Sequence, residues 1–298
     1  MRRINEGNGV ISTWLATWKQ AACLVLGAGY GLYQLILLMQ YQDHVRYAFY
    51  AGMMAAGATA LGTLPALFSN QLSSRLHAAM LGFGAGVMLA ASIFSLIIPA
   101  LNLFEAAAQT AWQGPLKVAA AILRGSFLMM ALERSVPHEH FIKGTEGHQA
   151  LILKRSWLFV IAIILHNIPE GLAIGVAYAG EDTVGASTLA TGISVQDIPE
   201  GFVVAMALLA AGYSRRLSIG VGMLSGLVEP LMAVIGAIAL SNSAVLPWGL
   251  AMAAGAMLFV ISHEMIPESH RKGHEMSATN GLMLGFVLMF VLDTALGS

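Results

Sequence analysis

Residues 164–175 read ILHNIPEGLAIG, and residues 194–205 read SVQDIPEGFVVA. Each places a polar pair and then Ile-Pro-Glu-Gly inside a long apolar run. The surroundings decide what such a pattern means. Of 298 residues, 57% are hydrophobic and 10% charged, against about 25% charged in soluble domains. A soluble fold of this length has too little interior to hide that much apolar surface, whereas lipid accepts it. The sequence therefore predicts an all-α, polytopic membrane helix bundle.

A span needs about 20 mostly apolar residues. Nine stretches qualify: 20–40, 45–69, 76–104, 115–134, 156–180, 184–212, 215–240, 246–266 and 277–296. The first is too long for the apolar core of a signal peptide, so it reads as a retained helix. With the N-terminus inside, 12 of the 15 Lys and Arg residues fall in inside segments and Arg46 and Lys117 outside, while Arg124 lies within a span. The positive-inside rule then orients the N-terminus to the cytoplasm and the C-terminus outside. The largest inside loop, about 135–155, is rich in Gly, His and charge. A net charge of −1 gives no basic signature for nucleic acid. The single cysteine, Cys23, excludes an intrachain disulfide and a multi-cysteine metal site.

Ionisable groups at membrane depth are costly and mark function. His166, Asn167 and Glu170 fall near the middle of the fifth span; Gln196, Asp197 and Glu200 near the middle of the sixth; Glu229 at mid-depth in the seventh. His166 and Glu170, like Gln196 and Glu200, are four residues apart on one helix face. Asn167 and Asp197 are each turned about 100° from those neighbours. Consecutive spans run antiparallel, so the motifs approach from opposite sides, as in the inverted pairing that builds midplane transport sites. Two adjacent metal sites follow. One takes His166, Glu170, Gln196 and Glu200. The other takes Asn167, Asp197 and Glu229, with Glu170 and Glu200 bridging.

Pro169 and Pro199 each lack a donor and crowd the carbonyl four residues earlier. Gly171 and Gly201 leave room for a close neighbour. Glu170, Asp197, Glu200 and Glu229 bring four negative charges when ionised, which two divalent cations cancel. Imidazole, carboxylate and amide without thiolate suit Zn²⁺ and its neighbours and disfavour Cu⁺.

These residues resemble the ZIP (Zrt-, Irt-like protein) family of divalent metal transporters, and the chain looks like a bacterial member. HNIPEG and QDIPEG match the family's paired signatures, and the following span carries the expected Glu-Pro, Glu229-Pro230. The family has eight spans, which correspond to the second through ninth here. The resemblance thus divides the chain into a tail and extra N-terminal span, 1–44, and an eight-span transport domain, 45–298. It implies uptake of Zn²⁺, and of related ions such as Cd²⁺, Fe²⁺, Mn²⁺ and Co²⁺, across the inner membrane toward the cytoplasm. It also implies a binuclear site on the seven residues named, a homodimer, and an elevator motion. In that motion the second, fifth, sixth and seventh spans move against the third, fourth, eighth and ninth. Many members carry His where Gln196 stands.

Further candidates are less central. Met88, in GFGAGVMLAAS, offers a thioether to the first site. His263 and Glu264, near the inner end of the eighth span, join His138, His140, His148, His270 and His274 as an inside set suited to metal exit or sensing. Ser95, Asn102 and Glu105 lie toward an outer entrance; Arg124 reads as paired or snorkelling. Two other classes compete. An intramembrane metalloprotease needs H-E-x-x-H, and HEMIPESH lacks the second His at that spacing. A proton-coupled transporter without metal would leave the His–amide–carboxylate mixture unexplained.

Overall fold

The computed structural model describes residues 27, 29–31, 33–69, 72–106, 108–135, 148–240, 244–271 and 273–296, with side chains in the fourth long helix from Ser156 onward. The chain divides into two units, Met1–Arg46 and Tyr47–Ser298. Apart from the first turn of α1, the elements numbered below lie in the second unit. Among the described residues there is helix and no strand. Eight elements follow in order: α1 Asp43–Thr63, α2 Ser74–Ala106, α3 Gln113–Ser135, α4 His148–Ala179, α5 Thr183–Ala210, α6 Arg215–Ala239, α7 Leu246–His270 and α8 Glu275–Leu296. Seven of these, α2 to α8, are long and apolar enough to cross a membrane. Of the extra span at 20–40, residues 27, 29–31 and 33–40 are described, and all are helical; residues 136–147 of the 135–155 loop lie outside the described residues.

The helix ends follow local chemistry. The side chains of Ser73, Asp182 and Ser214 cap α2, α5 and α6, each accepting from a first-turn amide. Gly212, at φ +94°, ends the turn after α5 in a conformation that a side chain resists. Prolines shape the interiors. In α2 the ladder widens into a π segment, Ser92–Ile97, just before Pro99; in α7 it does so at Ile261–Met265, just before Pro267. Proline removes a donor and pushes on the carbonyl four residues back, which a wider turn accommodates. α4 and α5 stay helical through Pro169 and Pro199. α6 does not stay continuous. It stops at Ser225, turns at Gly226 and Leu227, and restarts at Val228.

Packing pairs α2 with α8, α3 with α7, and α4 with the second half of α6. α5 lies against α2, α4 and the first half of α6. α4 and α5 are antiparallel. Tyr178 and Ser187 share a 3.0 Å hydrogen bond at one end, and Trp157 donates to the Tyr213 hydroxyl at 2.7 Å at the other. Large apolar side chains on α3 and α8, including Leu116, Leu123, Phe127, Leu284, Val287 and Val291, face outward. That is the expected surface for a bundle solvated by lipid.

Candidate metal centre

Glu170 on α4 and Asp197 and Glu200 on α5 bring one carboxylate oxygen each to within 4.8 Å of one another. His166, Asn167, Glu170, Gln196, Asp197, Glu200 and Glu229 are all at most 3% exposed. Two glycines allow this closeness. A side chain at Gly171 would strike the backbone of Glu229, and one at Gly201 would strike the Thr59 carbonyl. The glycine of each Ile-Pro-Glu-Gly motif therefore seats its helix on a neighbour that also brings a polar group.

The break in α6 brings Glu229 into place. Pro230 has no amide hydrogen and opposes the carbonyl of Gly226 four residues back, which is where the helix turns. Glu229 then stands in the first turn of the second half-helix, where the helix dipole favours an anion. The break frees carbonyls, and Asn167 answers one: its Nδ2 donates to the Ser225 oxygen at 3.0 Å. Thr59 of α1 donates to Glu229 Oε1 at 3.3 Å. Gln196 Nε2 donates to Glu170 Oε1.

Those contacts leave one side of each group unused. Among the described residues, no partner is found for Asn167 Oδ1, Glu170 Oε2, Gln196 Oε1, Glu229 Oε2, both oxygens of Asp197 and both of Glu200. Nor does Nδ1 of His166 have one. No Lys or Arg among the described residues pairs with any of the four carboxylates. Buried polar groups are ordinarily satisfied, and buried charges are paired or bind metal. Eight acceptor oxygens gathered without donors make an environment for cations.

Of the remaining sequence candidates, Glu264 meets the cluster: its carboxylate contacts His166 Nε2. His263, its neighbour, turns away. It is more than half exposed, pairs with Glu133 at 3.2 Å, and stacks on Phe259. Met88 is fully buried on α2. It lies four residues past Gly84, whose Cβ position is 3.6 Å from Glu200 Oε1, so it shares the face of α2 that meets the cluster. Ser95 donates to Asp293 Oδ1 at 2.5 Å. Asn102 and Glu105 are exposed. Arg124 sits over the Trp248 ring at 5.0 Å. His138, His140 and the side chain of His148 lie outside the described residues.

Sequence reasoning missed Thr59, Ser225 and the break in α6. Pro230 four residues after Gly226 was the available signal for the break. Thr59, one of two threonines in an Ala- and Gly-rich helix, carried none.

A cavity of 540 Å³ reaches the cluster at His166. Its walls include His77, Ser156, Glu264, Glu268 and Arg271, so it opens toward the end of the bundle where α2, α6 and α8 begin and α7 ends. That end carries the arginines at 75, 215, 216 and 271.

Fold and site together define a multi-pass membrane protein with a buried, acid-rich cluster of potential metal ligands. The ZIP zinc transporter family model matches residues 132–293. A zinc transporter GufA of Myxococcus xanthus is 47% identical over 83% of this chain and 98% of its own length. A zinc transporter ZIPB of Bordetella bronchiseptica is 49% identical over 85% and 82%. The human zinc transporter ZIP11 is 37% identical over 48% of this chain and 44% of its own. The chain belongs to the ZIP zinc transporter family.

Proposed function

We propose that this protein carries Zn²⁺, and related divalent cations, across the cytoplasmic membrane toward the cytoplasm. The observation that carries the reading is the buried cluster of four carboxylates whose free oxygens have no protein donor. The names of the relatives supply zinc as substrate. Two cations are accommodated side by side. His166, Glu170, Gln196 and Glu200 hold the first, with Met88 adjacent. Asn167, Asp197 and Glu229 hold the second, with Glu170 and Glu200 shared. Two divalent charges balance four carboxylates, and protons take their place when metal leaves.

The direction rests on the cavity at His166, which opens to the basic end of the bundle. By the positive-inside rule that end is cytoplasmic. Glu264, touching His166 on this side, is the first acceptor for a departing ion; His263 stands farther out along the same wall. For the motion, α1, α4, α5 and α6 carry every member of the cluster and slide against α2, α3, α7 and α8. The packing of α2 on α8 and of α3 on α7 supports the second set as the fixed frame. The nine-span topology and a homodimer belong to the same reading. The test is zinc uptake into proteoliposomes, each metal alone and in competition. Uptake that is absent while the purified protein still binds zinc overturns the transport reading.

A further inference from the structure

A groove of 480 Å³ runs between α2 and α8, away from the metal cluster. The volume lies within the range of about 300–1,000 Å³ usual for small-molecule sites. Arg75, Ser277 and Asn280 supply its polar lining near the starts of α2 and α8; Leu76, Phe83 and Leu284 form its apolar walls, and Pro199 of α5 also lines it. The groove follows the helix axes. From Arg75 to Phe83 is eight residues, about 12 Å of rise, which is most of one leaflet of a hydrocarbon core about 30 Å thick. A slot of that direction and depth matches an acyl chain.

The polar lining fixes the headgroup. Arg75 is exposed and uses Nε to reach Ser277 Oγ at 3.3 Å. Among the described residues it forms no ion pair, so its two terminal nitrogens remain for a planar, bidentate oxyanion. It lies at the basic end of the bundle, which in the orientation proposed above faces the anionic cytoplasmic leaflet. We propose that this groove binds one anionic phospholipid, with its phosphate on Arg75 and one acyl chain along α2 and α8 reaching Pro199.

The site touches the transport machinery at one point. Pro199 precedes Glu200, so the bound chain packs on the back of the helix that carries the cluster. A second groove, of 260 Å³, meets Pro169 of α4 in the same way, between α3 and α7. Arg124 lies nearby but is stacked on Trp248, which lines that groove. The headgroup argument therefore belongs to the first groove alone.

The experiment titrates the delipidated, full-length protein with palmitoyl-oleoyl phosphatidylglycerol or phosphatidylcholine and counts bound lipids by native mass spectrometry. The wild type should retain one phosphatidylglycerol in preference to phosphatidylcholine. Arg75→Ala should weaken phosphatidylglycerol about five-fold, the scale of one cation at a membrane surface, and leave phosphatidylcholine unchanged. Leu284→Trp, at an outward-facing wall position, should weaken both lipids. Arg216→Ala, at the same end but outside the groove, should weaken neither. Retained zinc binding checks that each variant is folded. Equal losses in Arg75→Ala and Arg216→Ala would mean general surface attraction. Undiminished phosphatidylglycerol in Leu284→Trp would mean an anion site without a chain. Either result, or wild-type binding by Arg75→Ala, overturns the proposal.

Discussion

Asn167 donates its amide hydrogen to the carbonyl of Ser225 at 3.0 Å, so the residue that begins the proposed second metal site also closes the break in α6. Its oxygen stays free on the other side. A single side chain thus links the shape of the α6 turn to the cation environment. Removing it should have two separable effects. Asn167→Ala should lose about 1–3 kcal/mol of stability, because the Ser225 carbonyl is left buried without its donor. It should also bind less metal at the second site while retaining the first. Thermal unfolding and metal stoichiometry measure the two. Unchanged stability with unchanged stoichiometry would remove Asn167 from both roles.

Glu170 and Glu200 are shared between the two proposed sites, whereas Asp197 belongs to one. Glu200→Gln should therefore lower bound zinc toward zero, and Asp197→Asn should leave about one ion per chain. The carboxamides preserve size, which limits repacking in a close-packed interior. Equal stoichiometry in the two variants would reject the shared carboxylate.

Gln196 gives its nitrogen to Glu170 and keeps its oxygen free. Imidazole is a stronger zinc ligand than an amide oxygen. Gln196→His should tighten zinc binding and slow its release, lowering both apparent KM and maximal uptake, and it should shift choice away from Mn²⁺. Initial-rate uptake of both ions, wild type beside the variant, tests this. Unchanged or weaker zinc affinity in a folded variant would show that position 196 does not face the ion.

Much of this site was legible in the sequence because polar residues at mid-membrane have few explanations, and the Pro-Glu-Gly repeat marked two of them together. Helix periodicity grouped His166 with Glu170 on α4 and Gln196 with Glu200 on α5, and the antiparallel pairing of the spans set the two pairs side by side, where Gln196 meets Glu170. It gave no access to partners set by tertiary packing: Thr59 against Glu229, Ser225 against Asn167, or Glu264 against His166. Nor does periodicity register the π segment that holds both His263 and Glu264. α1 is built largely from Ala, Gly and Met. It is not among the seven helices with the apolar character of a span, although its Thr59 contacts the cluster.

Topology has its own test. In a Cys23→Ser background, cysteines placed at Gly144 and at Glu181 should label from opposite faces of the membrane, with Gly144 cytoplasmic. The basic asymmetry motivates the assignment. Labelling of both from one face would contradict a membrane-spanning α4, and Gly144 outside would reverse the orientation.

The central claim is that zinc crosses the membrane by way of the buried carboxylates. Initial-rate uptake of radioactive zinc into proteoliposomes, comparing wild type with Glu170→Gln, tests it most directly. Glu170 is completely buried and joins both proposed sites. Loss of even a supporting group around a metal costs about 10–100-fold, so loss of this shared ligand should bring uptake close to that of empty vesicles. Wild-type uptake by a folded Glu170→Gln protein would contradict the account.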